Sequence, residues 1–223
     1  MKASDLGATF ASLPSAWAAV LPGWTEQRLD TVKRCIEATS GEREVAPEDP
    51  FRALRLVAPA DVKVVVIGQD PYPTIGHADG LAFSAGRGRP RSLARVFEVL
   101  AADRPGRFQA PALWKLDDWA RRGALLLNPV LTVEVGRSGS HLDCGWQALT
   151  REVVEALLRQ GQPPVFLLWG AKAQAFFAGA EPAGNARVLR TRHPSYDFQR
   201  AFMADGSHFA ATADLVDWWG IGA

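Results

Sequence analysis

Three polar side chains of the sequence lie shortly after apolar runs, and together they could do chemistry. They are Asp70, Asn128 and His193. A carboxylate is anionic near neutral pH and can accept a proton from water, while an imidazole can donate a hydrogen bond or a proton. A carboxamide offers both a donor and an acceptor, so it can read the polar edge of a substrate. Separately these residues are ordinary, since Asp-Pro is a common turn and a lone histidine is more often structural.

The runs before these side chains predict strands. They are Val62–Ile67, Ala124–Leu127, Val165–Trp169 and Arg187–Leu189. The first and third scarcely alternate, which is typical of strands buried on both faces. Helical patterns lie between the runs, so we predict an α/β domain with a central four-stranded, mainly parallel sheet flanked by helices on both faces. Ligands bind beyond the carboxyl ends of parallel strands, so the three polar side chains should meet at one edge.

Apolar spacing predicts the helices. They are a helix capped by Ser92, and helices over Gly145–Gln160, Thr25–Thr39 and Ser207–Trp218. The chain of 223 residues shows no linker and no repeat. We therefore expect one domain over residues 1–223, whose first ~45 residues are helical and carry little other signal.

Composition excludes several classes of site. The formal net charge is +1, which does not indicate a strongly basic nucleic-acid coat but leaves room for a local basic face. The only cysteines, Cys35 and Cys144, are too few for an all-cysteine metal site, and we expect two reduced thiols. The histidines show no metal-ligand spacing, and no phosphate-binding loop or nucleophile elbow is present. We therefore expect no metal and no cofactor.

No apolar run approaches the ~20 residues that cross a membrane, and the start lacks a clear signal peptide. The expectation is a cytoplasmic protein that does not interact with membranes.

Five segments occur in an order that resembles a known family. They are Gly68–Tyr72, Gly80–Ser84, Leu125–Asn128, Leu131–Val133 and His193–Ser195. Together they are similar to the family 1 uracil-DNA glycosylases, and the likeness covers roughly residues 50–215. The resemblance implies a monofunctional, metal-independent hydrolase of base excision repair. Such an enzyme flips uracil out of DNA, cleaves its N-glycosidic bond, releases free uracil and leaves an abasic site.

The resemblance also implies a role for each matching residue. Asp70 would stabilise the cationic sugar and orient the attacking water, and His193 would donate a hydrogen bond to uracil O2 as negative charge builds there. Asn128 would read the O4/N3 edge and so reject cytosine.

The other base-binding roles that the resemblance implies belong to an aromatic pair and a glutamine. Phe83 would stack on the flipped base, and Tyr72 would exclude the thymine methyl. Gln69 would help bind O2 by its backbone N–H.

The sequence departs from this family on the side that grips DNA. Pro73 stands where the family has histidine, and Pro129 follows Asn128 where the family has alanine. Ala171 and Phe198 stand where the family has serines that face phosphates. Asp197 occupies the place of the leucine that enters the duplex. Asp at a wedge would face phosphates unfavourably, so Tyr196 or Phe198 are the alternative stacking residues.

The candidate DNA contacts are therefore a mixed set. They are Ser92, Ser195, Tyr196, Asp197, Phe198 and Arg91. Two arginine clusters could compensate for the lost phosphate contacts: Arg87, Arg89, Arg91 and Arg95, and Arg187, Arg190 and Arg192. The expected partner is uracil-containing DNA, in single strands first and in duplexes second, bound by a monomer.

Three other readings stay open at this point. One is a non-catalytic protein that binds uracil or DNA on the same fold, since a fold does not guarantee an activity. Another is a glycosylase of the same superfamily with a different base specificity, because Pro73 and Pro129 flank the expected pocket. The third is an unrelated α/β hydrolase of free nucleosides.

Overall fold

The computed structural model describes residue 2 and residues 12–180 and 186–222. Its helices are α1 Ser15–Ala18, α2 Glu26–Ser40, α3 Arg52–Leu56, α4 Arg91–Asp103, α5 Asp117–Arg121, α6 Trp146–Leu158 and α7 Ala171–Ala178. Its strands are β1 Val45–Ala46, β2 Val64–Ile67, β3 Ala124–Leu127, β4 Val133–Glu134, β5 Val165–Trp169 and β6 Val188–Thr191.

A four-stranded parallel sheet forms the centre of the fold, with the strand order β3-β2-β5-β6. In its register Ile67 is opposite both Leu127 and Leu168. β2, β3 and β5 are fully buried, which fits their unbroken apolar sequences. The predicted sheet is thus confirmed. A separate antiparallel pair, β1 with β4, lies outside it.

Helices cover this sheet through the crossovers between its strands. The chain passes from β2 to β3 in one direction across the sheet, through α4 and α5. It then passes from β3 to β5 through α6, and from β5 to β6 through α7, in the opposite direction. Because such crossovers are right-handed, α4 and α5 cover one face while α6 and α7 cover the opposite face. The apolar stripes of α4 and α6 are buried, including Leu93 and Val96 on the first and Leu149 and Val153 on the second. The long helices predicted at Thr25–Thr39 and Gly145–Gln160 are confirmed as α2 and α6, within two residues at each end.

Two helix predictions differ from the structure. α4 begins after Pro90, and Ser92 lies inside its first turn without capping it, because its hydroxyl bonds Tyr72 Oη at 2.7 Å. The helix predicted over Ser207–Trp218 is wrong, since only the short 3-10 turn Ala210–Thr212 forms there. Trp218 instead packs against Phe209, with ring centroids 5.5 Å apart, and its indole donates to a threonine hydroxyl. These tertiary contacts favour turns over a regular helix.

The expected pair of reduced thiols is also wrong. Cys35 on α2 and Cys144, just before α6, form a disulfide whose Cα atoms are 5.3 Å apart. The pairing joins positions 109 residues apart in the sequence, so no local pattern could have indicated it.

Among the described residues, no helix is both long and apolar enough to cross a bilayer. The same residues contain no group of three histidine, cysteine or acidic side chains that could hold a metal ion. The assignment of residues 1–223 to one domain stays a prediction.

Core packing gives the first testable prediction. Leu126 is 1% exposed in the middle of β3, whereas Leu113 is 63% exposed in a loop. Leu126→Ala leaves a cavity between the sheet and its helices and should lower the free energy of unfolding by about 2–5 kcal/mol in urea titrations. The matched change Leu113→Ala should alter it by no more than about 0.5 kcal/mol. Equal losses from the two variants would contradict the assigned core.

Candidate active site

A pocket opens at the carboxyl edge of the central sheet and brings distant segments together. Among the residues that line it are Gln69, Asp70, Tyr72, Phe83, Ser92, Asn128, His193 and Ser195. All the expected catalytic and base-binding residues therefore line one pocket. Asn128 is buried at its base, and the carbonyl of Gln69 accepts a hydrogen bond from the Val130 amide at 3.4 Å.

Two glycines allow the side chains at this edge to approach the backbone. A Cβ at Gly68 would lie 2.1 Å from the side-chain oxygen of Asn128. A Cβ at Gly170 would lie 2.7 Å from the Cβ of His193, and Gly170 has a φ of +104°. Any larger residue would displace the amide or the imidazole, and at Gly170 it would also strain the backbone. The glycines directly after β2 and β5 therefore help to determine where Asn128 and His193 stand.

Asp70 is held by a loop that follows β4. Its Oδ2 accepts hydrogen bonds from the Ser138 hydroxyl and from the Gly139 amide, both at 3.0 Å. Hydrogen bonds to an ionised carboxylate are stronger than neutral ones, so the two donors restrain the carboxylate. The sequence motifs contain no signal for Ser138, which is an exposed loop residue.

The imidazole of His193 has a defined tautomer. Its Nδ1 accepts a hydrogen bond from the Ser195 amide at 3.1 Å, so the proton of the neutral ring is on Nε2. Burial lowers the pKa of His193, the positive charge of Lys172 lowers it further, and Asp70 acts in the opposite direction. The ring is therefore a neutral donor near pH 7, and its Nε2–H is the donating group.

Phe83 forms one wall of the pocket. It has a φ of +65°, which is uncommon for a residue other than glycine, and its ring contacts those of Trp169 and His193 at centroid distances of 4.9 and 5.8 Å. Trp169 in turn donates from Nε1 to Nδ1 of the buried His208 at 3.2 Å. Trp169, which packs against Phe83, is thus held by a hydrogen bond that His208 can accept only in its neutral form.

Tyr72 and Ser92 form a hydrogen-bonded pair in the wall of the pocket. The hydroxyl of Tyr72 bonds the Ser92 hydroxyl and also donates to the carbonyl of Phe83 at 3.1 Å. Burial is the main cause that raises the pKa of Tyr72, so the phenol stays neutral. Ser92 is 2% exposed and lines the same pocket, and its role as a phosphate contact stays a prediction.

A buried ionic network supports the loop that carries Phe83, and no sequence motif indicated it. Asp79 accepts from the Ser84 hydroxyl at 2.6 Å and pairs with Arg52 at 3.2 Å. Burial raises the pKa of Asp79, while Ser84 and Arg52 act against that rise. Arg52 also pairs with Asp117 of α5, so the network ties the loop to two helices.

The loop after β6 places Asp197 differently from the expected wedge. Its side chain is 9% exposed and forms an ion pair with Arg95 of α4, and it accepts from the Phe202 amide. The carboxylate therefore points into the protein, where Arg95 compensates its charge. Ser195 is exposed at the mouth of the pocket. The side chains of Tyr196 and Phe198 lie outside the described part of the structure.

The two arginine clusters are not equivalent. Arg95 forms ion pairs with Asp197 and with Glu98, and its side chain is 15% exposed. Arg91, at the start of α4, is exposed, and so are the other members of both clusters: Arg87, Arg89, Arg187, Arg190 and Arg192.

The chain is similar to known proteins over most of its length. The family model of the uracil DNA glycosylase superfamily matches residues 55–216. The chain is 43% identical over 200 residues to a uracil-DNA glycosylase of Bordetella parapertussis, covering 85% of this chain and 76% of that protein. It is 42% identical over 190 residues to one of bovine herpesvirus 1.1, covering 83% and 91%. The chain therefore belongs to the uracil DNA glycosylase superfamily.

Solved structures support the fold. The crystal structure of mimivirus uracil-DNA glycosylase matches with a TM-score of 0.70 at 23% identity, over 88% of this chain and 72% of that one. The wild-type UNG from Nitratifractor salsuginis matches with a TM-score of 0.62 at 20% identity, over 86% and 88%.

His208 gives a pH-dependent prediction. Burial lowers its pKa to about 4, below the ~6.5 of an exposed histidine. As pH falls from about 6.5 to about 4, His208 binds a proton in the unfolded chain but not in the folded chain, so stability is lost across that window. The loss from this group should approach about 3 kcal/mol.

The measurement is urea unfolding of wild type and His208→Gln across this pH window. Glutamine keeps an acceptor for Trp169 but does not titrate. Carboxylates titrate equally in both proteins, so the difference between the two curves isolates His208. We expect the variant to lose less stability on acidification, and parallel curves would contradict the assignment.

Proposed function

We propose that this protein excises uracil from DNA by hydrolysing the N-glycosidic bond, using Asp70 and His193 on opposite sides of that bond. Family membership supports the reaction class. The observation that carries the assignment of roles is the single pocket that collects Asp70, Asn128 and His193 from three strand ends, with Phe83 as its aromatic wall. A flipped base needs such a concave site, because the bond is inaccessible inside a stacked duplex.

The chemistry follows from charge separation. Breaking the bond between C1′ and N1 leaves positive charge on the sugar and negative charge on the uracil ring. Asp70 stabilises the sugar and accepts a proton from the attacking water. His193 donates from Nε2 to uracil O2, where the negative charge develops, and its neutral state suits a donor that keeps its proton. Uracil then leaves as an anion that needs no full protonation.

Base selection is assigned to the walls of the pocket. Asn128 presents an acceptor and a donor to N3–H and O4 of uracil, while cytosine reverses that pattern and leaves buried groups unpaired. Phe83 stacks on the ring. Tyr72 stands against C5 and excludes the thymine methyl, held there by its bond to Ser92. The backbone N–H of Gln69 is the second donor proposed for O2.

DNA engagement is proposed to depend on exposed arginines. Three of the family's phosphate-facing positions carry Pro73, Ala171 and Phe198, and none of these side chains can donate a hydrogen bond. Asp197 is turned inwards, so Arg91 and its exposed neighbours are the remaining cationic contacts. We propose that the protein acts as a monomer and processes single strands faster than duplexes, because single strands need no wedge to expose the base.

The activity is tested by uracil release from single-stranded and duplex oligonucleotides under single-turnover conditions. Asp70→Asn and His193→Ala should each lower the rate by about 10²-fold or more. Asp61→Asn is the matched control, because Asp61 is exposed before β2 at the opposite edge of the sheet, and it should retain the wild-type rate. No uracil release by folded wild type, with hypoxanthine, xanthine and mismatched thymine tested beside it, would refute the proposed activity.

DNA engagement is tested with Arg91→Ala. Loss of one phosphate contact should weaken binding of uracil-containing strands and reduce the slope of log K against log salt by about 1. Arg159→Ala is the matched control, since Arg159 is exposed at the end of α6, on the edge of the sheet away from the pocket. Unchanged binding by Arg91→Ala, or equal rates of wild type on single strands and duplexes, would overturn this part of the proposal.

A further inference from the structure

The loop between β4 and α6 reaches the catalytic pocket from a distant part of the chain. Ser138 and Gly139 stand near its tip, 68 and 69 positions from Asp70, yet both donate to the same carboxylate oxygen. Among the described residues, no hydrogen bond is made to the other oxygen, Oδ1. The two oxygens of Asp70 are therefore chemically distinct.

This loop is fixed at its base by several independent contacts. The buried His141 bonds the Ser40 hydroxyl at 2.8 Å and the Thr132 hydroxyl at 2.9 Å, one through each ring nitrogen. Glu134, 4% exposed, pairs with Arg43 at 3.0 Å. A loop anchored in this way can hold its tip in place without an added ligand.

The tip is also joined to the segment that carries Asp70. The Gly136 amide donates to the carbonyl of Pro73 at 2.8 Å, so a backbone hydrogen bond joins the two loops. Gly139 has a φ of +73°, a conformation that glycine adopts freely and that points its amide at Asp70. The Ser138 hydroxyl is the second donor to the same carboxylate oxygen.

We infer that Ser138 is a positioning residue, which together with the Gly139 amide holds Oδ2 of Asp70 and reserves Oδ1 for the attacking water and the sugar. The inference rests on the proposed role of Asp70. A carboxylate that can rotate presents either oxygen and spends time out of line with C1′, whereas a carboxylate held at one oxygen keeps the other in a near-attack position. Ser138 lines the same pocket, and its hydroxyl donates to Asp70, so we assign its effect to the chemical step and not to binding.

The test is the single-turnover rate of uracil release from a saturating single-stranded oligonucleotide, with KM and the midpoint of thermal unfolding measured alongside. Ser138→Ala should lower the rate about five- to tenfold and leave KM and the thermal midpoint unchanged, because the exposed hydroxyl adds little to folding. Ser138→Thr keeps the hydroxyl at an exposed position and should restore most of the rate.

A double-mutant comparison separates positioning from a general structural effect. In an Asp70→Ala background, Ser138→Ala should change the residual rate by less than about twofold, because its only route to the chemistry has been removed. An unchanged rate in the single variant, or the same loss in both backgrounds, would overturn the inference. If Asp70→Asn keeps the wild-type rate, the proposed catalytic role of Asp70 is wrong. If Asp70→Asn is inactive but Ser138→Ala keeps the wild-type rate, only the positioning role of Ser138 is wrong.

Discussion

The parallel register of the three buried strands is the constraint on which the site depends. Ile67, Leu127 and Leu168 are paired across the sheet, so the chain leaves β2, β3 and β5 at the same level. The residues just beyond each strand are therefore delivered to one edge, where Asp70 and Asn128 meet the loop after β6. A slip of one residue in any strand would move a pocket residue by over ~3 Å and reverse the faces of the strand.

Around this edge, buried polar groups with hydrogen-bond partners hold the walls of the pocket in place. His208 below Trp169, and Asp79 beneath the loop of Phe83, both have partners and both have pKa values shifted by burial in the direction of their neutral forms. Buried polar groups of this kind destabilise a fold when unpaired and give it a unique geometry when paired. The flipped base thus meets a surface that is already arranged, which limits the reorganisation needed during reaction.

The loop after β6 shows how one departure from a family pattern can change the role of a position. A leucine there would be free to enter DNA, but an aspartate is strongly hydrated and seeks a cation. In this protein the cation is Arg95, so Asp197 anchors its loop to α4. The same contact engages Arg95 within the protein, whereas Arg91 at the start of α4 is exposed.

The sequence by itself determined the four strands of the main sheet, their parallel arrangement and the edge at which Asp70, Asn128 and His193 meet, because unbroken apolar runs and the polar residues after them are local signals. Only the tertiary structure decided the partners of side chains distant in sequence. Three contacts depend on which segments the packed core brings together. They are the disulfide of Cys35 with Cys144, the ion pair of Asp197 with Arg95, and the hydrogen bond from Ser138 to Asp70. The failed helix at Ser207–Trp218 has the same cause, since aromatic packing and side-chain hydrogen bonds can outweigh a weak local periodicity.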